Sequence, residues 1–171
     1  MKQVKDADYS EFYQTYTKKV PQDIDVLDYM DEDLRSSTTN FIKSLSADQL
    51  KYRYNSGKWS LSEVLGHIID CERIFAYRSL SFVRKDKMPL PGFEENDYAI
   101  ASNYNDMDSE AILRLYQSNR SSSIALFRSY SEEMWDRVGV ANGEEMIALA
   151  IPYINAGHEI HHISVIKERY L

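Results

Sequence analysis

The stretch WSLSEVLGHIIDCERIFAYRSLSF constrains the fold more than any other part of the chain. Ser60 and Glu63 make an S-x-x-E capping box, and Trp59 and Val64 stand where a hydrophobic staple belongs, so a helix starts at Leu61. Its apolar spacing carries it to about Val83. Three other segments read the same way. The first runs from Ile24 to Leu45, with Ile24, Leu27, Met30, Leu34, Phe41, Ile42 and Leu45 on one stripe. Another spans Ser109 to Tyr130, after which Ser131, Glu132 and Glu133 begin a short turn, and the last reaches the C-terminus. No β-alternating run of useful length, internal repeat or low-complexity tract is visible. The fold class is therefore all-α, a bundle in which each helix buries its stripe against the others.

Between the second and third helices lies RKDKMPLPGFEENDYAIASNYNDMD, whose prolines, glycine and acidic and amide residues read as a long connection. Antiparallel neighbours need only about 2 to 8 residues, so this one implies a crossover between parallel helices or a lid over a site. GVANGEE punctuates the chain before the last helix. Pro152 lacks a backbone donor, so that helix either kinks there or begins afresh. The 171 residues fit a single domain, 1–171, with an N-terminal extension of about 20 residues packed loosely against it. A hydrophobic content of 43% supplies a conventional core. The formal charge of −7 and the lack of a basic run argue against a nucleic-acid partner. No apolar run approaches the roughly 20 residues of a membrane span, and the N-terminal segment lacks a signal-peptide core, so the expected location is cytoplasmic with no membrane partner. The single cysteine, Cys71, has no internal disulfide partner, in keeping with a reducing compartment.

All four histidines lie in two helices: His67 in the second, and His158, His161 and His162 in the last. His158, Glu159 and His162 spell H-E-x-x-H, the zinc-protease pattern, in which two histidines one turn apart share a metal. Those proteases take a third ligand from downstream. Here only Ile163 to Leu171 follow, and Glu168 lies about 120° round the helix from His162. A third ligand must come from upstream, which weakens the protease reading. With His158 at 0° and about 100° per residue, His162 falls at about 40°, Val165 at about 340° and Ile154 at about 320°, so both histidines share the apolar stripe. His161 and Glu159 flank the pair on opposite sides. On the second helix His67 sits at the edge of the core stripe, and Glu63 and Asp70 lie on its polar side, where either could orient the imidazole. Taken alone, His67 also reads as a satisfied core histidine. Two buried neutral imidazoles together need partners for their nitrogens, however, and a metal supplies one to each. Cys71, one turn on from His67, is either a fourth ligand or a small buried hydrophobe.

The segments WSLSEVLGHIIDCERIFAYR and IPYINAGHEIHHISVIKERYL, joined by the long middle, resemble the DinB/YfiT-like superfamily over residues 20–171. The resemblance implies a four-helix bundle of up-down-down-up order, whose parallel second and third helices account for the crossover. It implies further that His67, His158 and His162 bind a divalent transition metal, zinc or nickel; the projections turn the same three inward. Branches of that family use the metal to activate a low-molecular-weight thiol such as bacillithiol, mycothiol or glutathione, and homodimers are frequent among them. The expected function is a metal-dependent thiol S-transferase or hydrolase with a small-molecule substrate, the alternative being a non-catalytic metal-binding or structural bundle. Three neutral histidines leave open positions where water or a thiol becomes a nucleophile. Glu159 is the candidate for a general base or for orienting a neighbouring group, with Asp70 and Glu63 as alternatives; it reads equally as a surface or capping carboxylate. Phe93, Glu94, Glu95, Asn96, Asp97, Tyr98 and Tyr104 could roof the pocket and contact substrate, or form a merely structural loop. Arg73 and Arg78 could hold a substrate carboxylate, or pair with acids such as Glu72.

Overall fold

The computed structural model describes residues 2–171. In chain order its helices are α1 (Gln14–Thr17), α2 (Val26–Tyr29), α3 (Arg35–Lys43), α4 (Ala47–Lys51), α5 (Leu61–Val83), α6 (Glu95–Ala101), α7 (Ser109–Arg128) and α8 (Ala150–Arg169). A hairpin of β1 (Val138–Ala141) and β2 (Glu144–Ile147) precedes α8. The capping box forms as expected: Ser60 Oγ accepts from the Glu63 amide at 3.2 Å, and Glu63 Oε2 accepts from the Ser60 amide at 2.8 Å. The first bundle helix is α2 and α3 joined without a break by a π-helical turn at Met30–Leu34, and it is capped by the Asp25 carboxylate. Pro152 stands in the first turn of α8, where amides have no intrahelical partner. Of the two options for that proline, the helix begins afresh just before it.

The core falls into two clusters, and they reveal the direction of each helix. α5 and α7 both start in one cluster, with Leu61 to Ile69 and Ile112 to Tyr116, and end in the other, with Cys71 to Val83 and Ile124 to Phe127. The first bundle helix and α8 run the opposite way, from Val26 to Ile42 and from Ala150 to Ile166. The order is up-down-down-up, and the long segment between α5 and α7 is the crossover that two parallel neighbours require. Between the clusters lies a buried polar layer containing Thr38, His67, Glu72, Arg120, His158 and Glu159.

Two expectations need correction. A hairpin exists where no strand was expected, because its arms have only four residues each. Its turn is Asn142-Gly143, both with positive φ, the tight turn that such dipeptides favour. Leu90 of the crossover bridges to this hairpin, donating to the Val140 carbonyl at 2.9 Å and accepting from the Asn142 amide at 3.0 Å. The N-terminal segment, in turn, is not loosely packed. Tyr9, Tyr13 and Val20 are core residues, and the backbone of Tyr16 lies so close to α8 that a Cβ on Gly157 would stand 2.0 Å from the Tyr16 carbonyl oxygen. No helix among the described residues is long and apolar enough to cross a membrane.

Candidate metal centre

His67 comes from the middle of α5, and His158 and His162 from successive turns of α8. Their rings meet as a triangle. The centroids of His67 and His158 are 4.9 Å apart, those of His67 and His162 4.8 Å, and those of His158 and His162 4.4 Å. The Nε2 atoms of His67 and His158 approach to 3.0 Å. Two nitrogens bound to one tetrahedral ion at about 2.0–2.1 Å would be separated by about 3.3 Å, so little movement separates this geometry from ligation. Trp59 packs on His67 at 4.9 Å and Tyr16 on His158 at 5.2 Å, which excludes water from both outer faces. Burial lowers the pKa of His67 to about 4 and of His162 to about 3, and holds His158 well below its ordinary value, with the neighbouring imidazoles adding to the effect at His158 and His162. All three are neutral at pH 7, as ligands must be. Nitrogen donors of this kind suit zinc or nickel. His161 is half-buried against Tyr16 and His162, to the side of the triangle.

The carboxylates singled out in the sequence are committed elsewhere. Glu159 is fully buried, accepting from Thr38 Oγ1 at 2.6 Å, from the Tyr116 hydroxyl at 2.7 Å and from Arg120. Arg120 also binds Glu72 and donates to the Met30 carbonyl at 2.9 Å. Glu159 thus belongs to a buried ion cluster joining all four bundle helices. Asp70 accepts from Tyr104 Oη at 2.9 Å and from Arg73 at 3.0 Å, and Glu63 from Arg53 and Asn105. None of these acids is a hydrogen-bond partner of His67. Cys71 Sγ lies 3.6 Å from His67 Nδ1, and one donor atom from each of His67, Cys71 and His158 falls within 4.8 Å of the others.

A cavity of about 100 Å³ opens beside the histidines, lined by His158, Cys71, Arg78, Phe93, Glu95 and the N-terminal tyrosines Tyr13 and Tyr16. Of the crossover residues singled out in the sequence, Phe93 and Glu95 are among those that line it, whereas Tyr104 packs over Gly66 and binds Asp70. Tyr13 and Tyr16 were missed in the sequence, because nothing in an irregular N-terminal segment indicates which distant helix it crosses. Glu95 is exposed over much of its surface, yet desolvation of the rest, with Glu94 beside it, raises its carboxyl. A larger depression of about 510 Å³, lined by Asp25, Trp135 and Leu149 among others, includes none of the histidines.

A helical bundle with imidazoles converging from two of its helices has the arrangement in which bundles build metal sites. The sequence profile of the DinB superfamily matches residues 30–166, and the chain belongs to that family. It is 27% identical over 129 residues to a "Putative metal-dependent hydrolase" of Oceanobacillus iheyensis, covering 74% of this chain and 73% of that protein. A protein of the same designation in Bacillus licheniformis is 25% identical over 125 residues, covering 72% and 71% respectively. Among solved structures the fold is similar to YfiT from Bacillus subtilis, described as "a probable metal-dependent hydrolase with an unusual four-helix bundle topology". That match has a TM-score of 0.73 at 16% identity, over 98% of this chain and 90% of that one. It is also similar to a mycothiol-dependent maleylpyruvate isomerase, with a TM-score of 0.67 at 14% identity, over 86% of this chain and 61% of that one.

Proposed function

We propose that the protein is a metal-dependent enzyme in which His67, His158 and His162 hold one zinc or nickel ion, and in which a small molecule reacts in the adjoining cavity. The observation that carries this reading is the convergence of three neutral imidazoles from two helices, those of His67 and His158 buried and that of His162 half-buried. When bound, such an ion polarises a substrate oxygen and makes a water or a thiol nucleophilic near neutral pH. The chain supplies the rest. Tyr16 and Trp59 keep bulk water from the imidazoles, the crossover covers the cavity, and Glu95, with its raised carboxyl, is the group at the cavity suited to accept a proton. Glu159 is reassigned from base to scaffold, and Asp70 to holding Tyr104. The reaction is hydrolysis or transfer of a low-molecular-weight thiol. The names of the relatives favour the first, and the likeness to a mycothiol-dependent isomerase favours the second.

A second reading has its own support. Cys71 lies close enough to His67 to complete a closed site, which would make the ion structural. Assaying the metal-loaded chain for ester hydrolysis, and for transfer of thiols to an electrophilic acceptor, separates the two. Turnover abolished by chelator and restored by metal is expected. Inactivity, together with a thiolate-to-metal band in the cobalt-loaded protein that vanishes in Cys71→Ala, would favour the structural ion.

A further inference from the structure

The cavity contains a buried cation that no carboxylate among the described residues neutralises. Arg78, on α5 two turns beyond Cys71, is 3% exposed. Its guanidinium carbon lies 4.9 Å over the Phe75 ring, and one Nη donates to the Pro91 carbonyl at 3.2 Å. It forms no ion pair among the described residues, although Glu95 lines the same cavity. The other deeply buried arginine, Arg120, is matched by two carboxylates. Burial of a guanidinium without an anion is expensive, and a structural arginine ordinarily resolves it as Arg120 does. Arg78 instead turns to a cavity that it shares with Cys71 and His158.

We infer that Arg78 anchors an anionic group of the substrate, a carboxylate, in the cavity beside the histidine cluster. Stacking on Phe75, the Pro91 carbonyl and the neighbouring Tyr13 hydroxyl hold the guanidinium in place at the cavity, where its remaining donors suit a planar, two-oxygen partner, the geometry in which arginine surpasses lysine. Aromatic walls from Tyr13 and Phe93 suit a small organic acid and exclude the water that would weaken the pairing. The substrate class is therefore a small carboxylic acid whose other end faces the imidazoles. Only this last clause rests on the metal-centre reading.

Calorimetric titration of 3-mercaptopropionate and of its uncharged amide into metal-loaded and metal-stripped protein tests the inference. The acid is expected to bind about tenfold tighter than the amide to both forms of the wild type. In Arg78→Gln the preference falls to about one while metal content is retained, and Arg78→Lys recovers part of it. Equal binding of acid and amide by the wild type would overturn the inference, as would a preference that survives Arg78→Gln. If the chain retains no metal, the proposed function fails, but the ratio in stripped protein still decides whether Arg78 is an anion site. Should Arg78→Gln not fold, Arg78→Lys alone decides, because an unchanged preference there would show that the fork is not what selects the acid.

Discussion

Burial sets the charge of the three histidines before any ligand arrives. In the unfolded chain each titrates near its ordinary value of about 6.5, whereas in the folded protein burial lowers the pKa to about 4 for His67 and about 3 for His162. Between those limits the unfolded state takes up protons that the folded state refuses. The stability of metal-free protein therefore falls as pH drops below about 6.5, by up to about 1.4 kcal/mol per pH unit for each histidine. Urea denaturation in chelator at about pH 7.5 and 5.5 measures this; a flat profile would mean that the imidazoles are solvated. Glu159 gives a second residue-scale expectation. Glu159→Gln leaves Arg120 with Glu72 alone and should cost about 1–3 kcal/mol in denaturant while metal content is unchanged. Loss of turnover without loss of stability would restore Glu159 as a catalytic base.

At the scale of elements, close approach does as much as capping. Tyr16 reaches His158 only because Gly157 lets α1 lie directly on α8. Gly157→Ala drives a Cβ into backbone, which cannot rotate away, and should cost about 1–3 kcal/mol or displace α1. Thermal unfolding measures the cost, and the ring-current shift of His158 detects the displacement; no change in either would contradict the packing. The same contrast explains what was legible in the sequence. The α5 boundaries could be read because Ser60 and Glu63 mark its start locally, and the inward turn of His67, His158 and His162 follows from helical period alone. The partners of Glu159 and Arg78 could not be read. Both depend on which residues of other helices stand opposite, and Arg120 has no local mark that sets it apart from a surface arginine. The N-terminal segment was misjudged for the same reason, since Tyr9 and Tyr13 bury themselves across long sequence separations. The hairpin left a clearer trace in Asn142-Gly143, but its arms are too short for alternation to register.

For the whole molecule, the polar layer between the two apolar clusters is both scaffold and site. On one side Arg120 joins Glu72, Glu159 and the Met30 carbonyl, one contact from each of the other three bundle helices. On the other, the three histidines join α5 to α8. Arg120→Met would leave two carboxylates buried without their cation and should cost about 3–5 kcal/mol, seen as a large drop in denaturation midpoint. A small change would mean that the layer is hydrated. The ion cluster and the metal centre share neighbouring positions on α8, His158 and Glu159, so the scaffold fixes the rotation of α8 that presents its histidines to His67. The most direct test of the account is elemental analysis of protein purified without added metal, beside His67→Ala and His162→Ala. One zinc or nickel ion per chain, lost in both variants, is the result the account predicts. No bound metal, or an ion that survives both substitutions, would contradict it and leave the histidines as core residues.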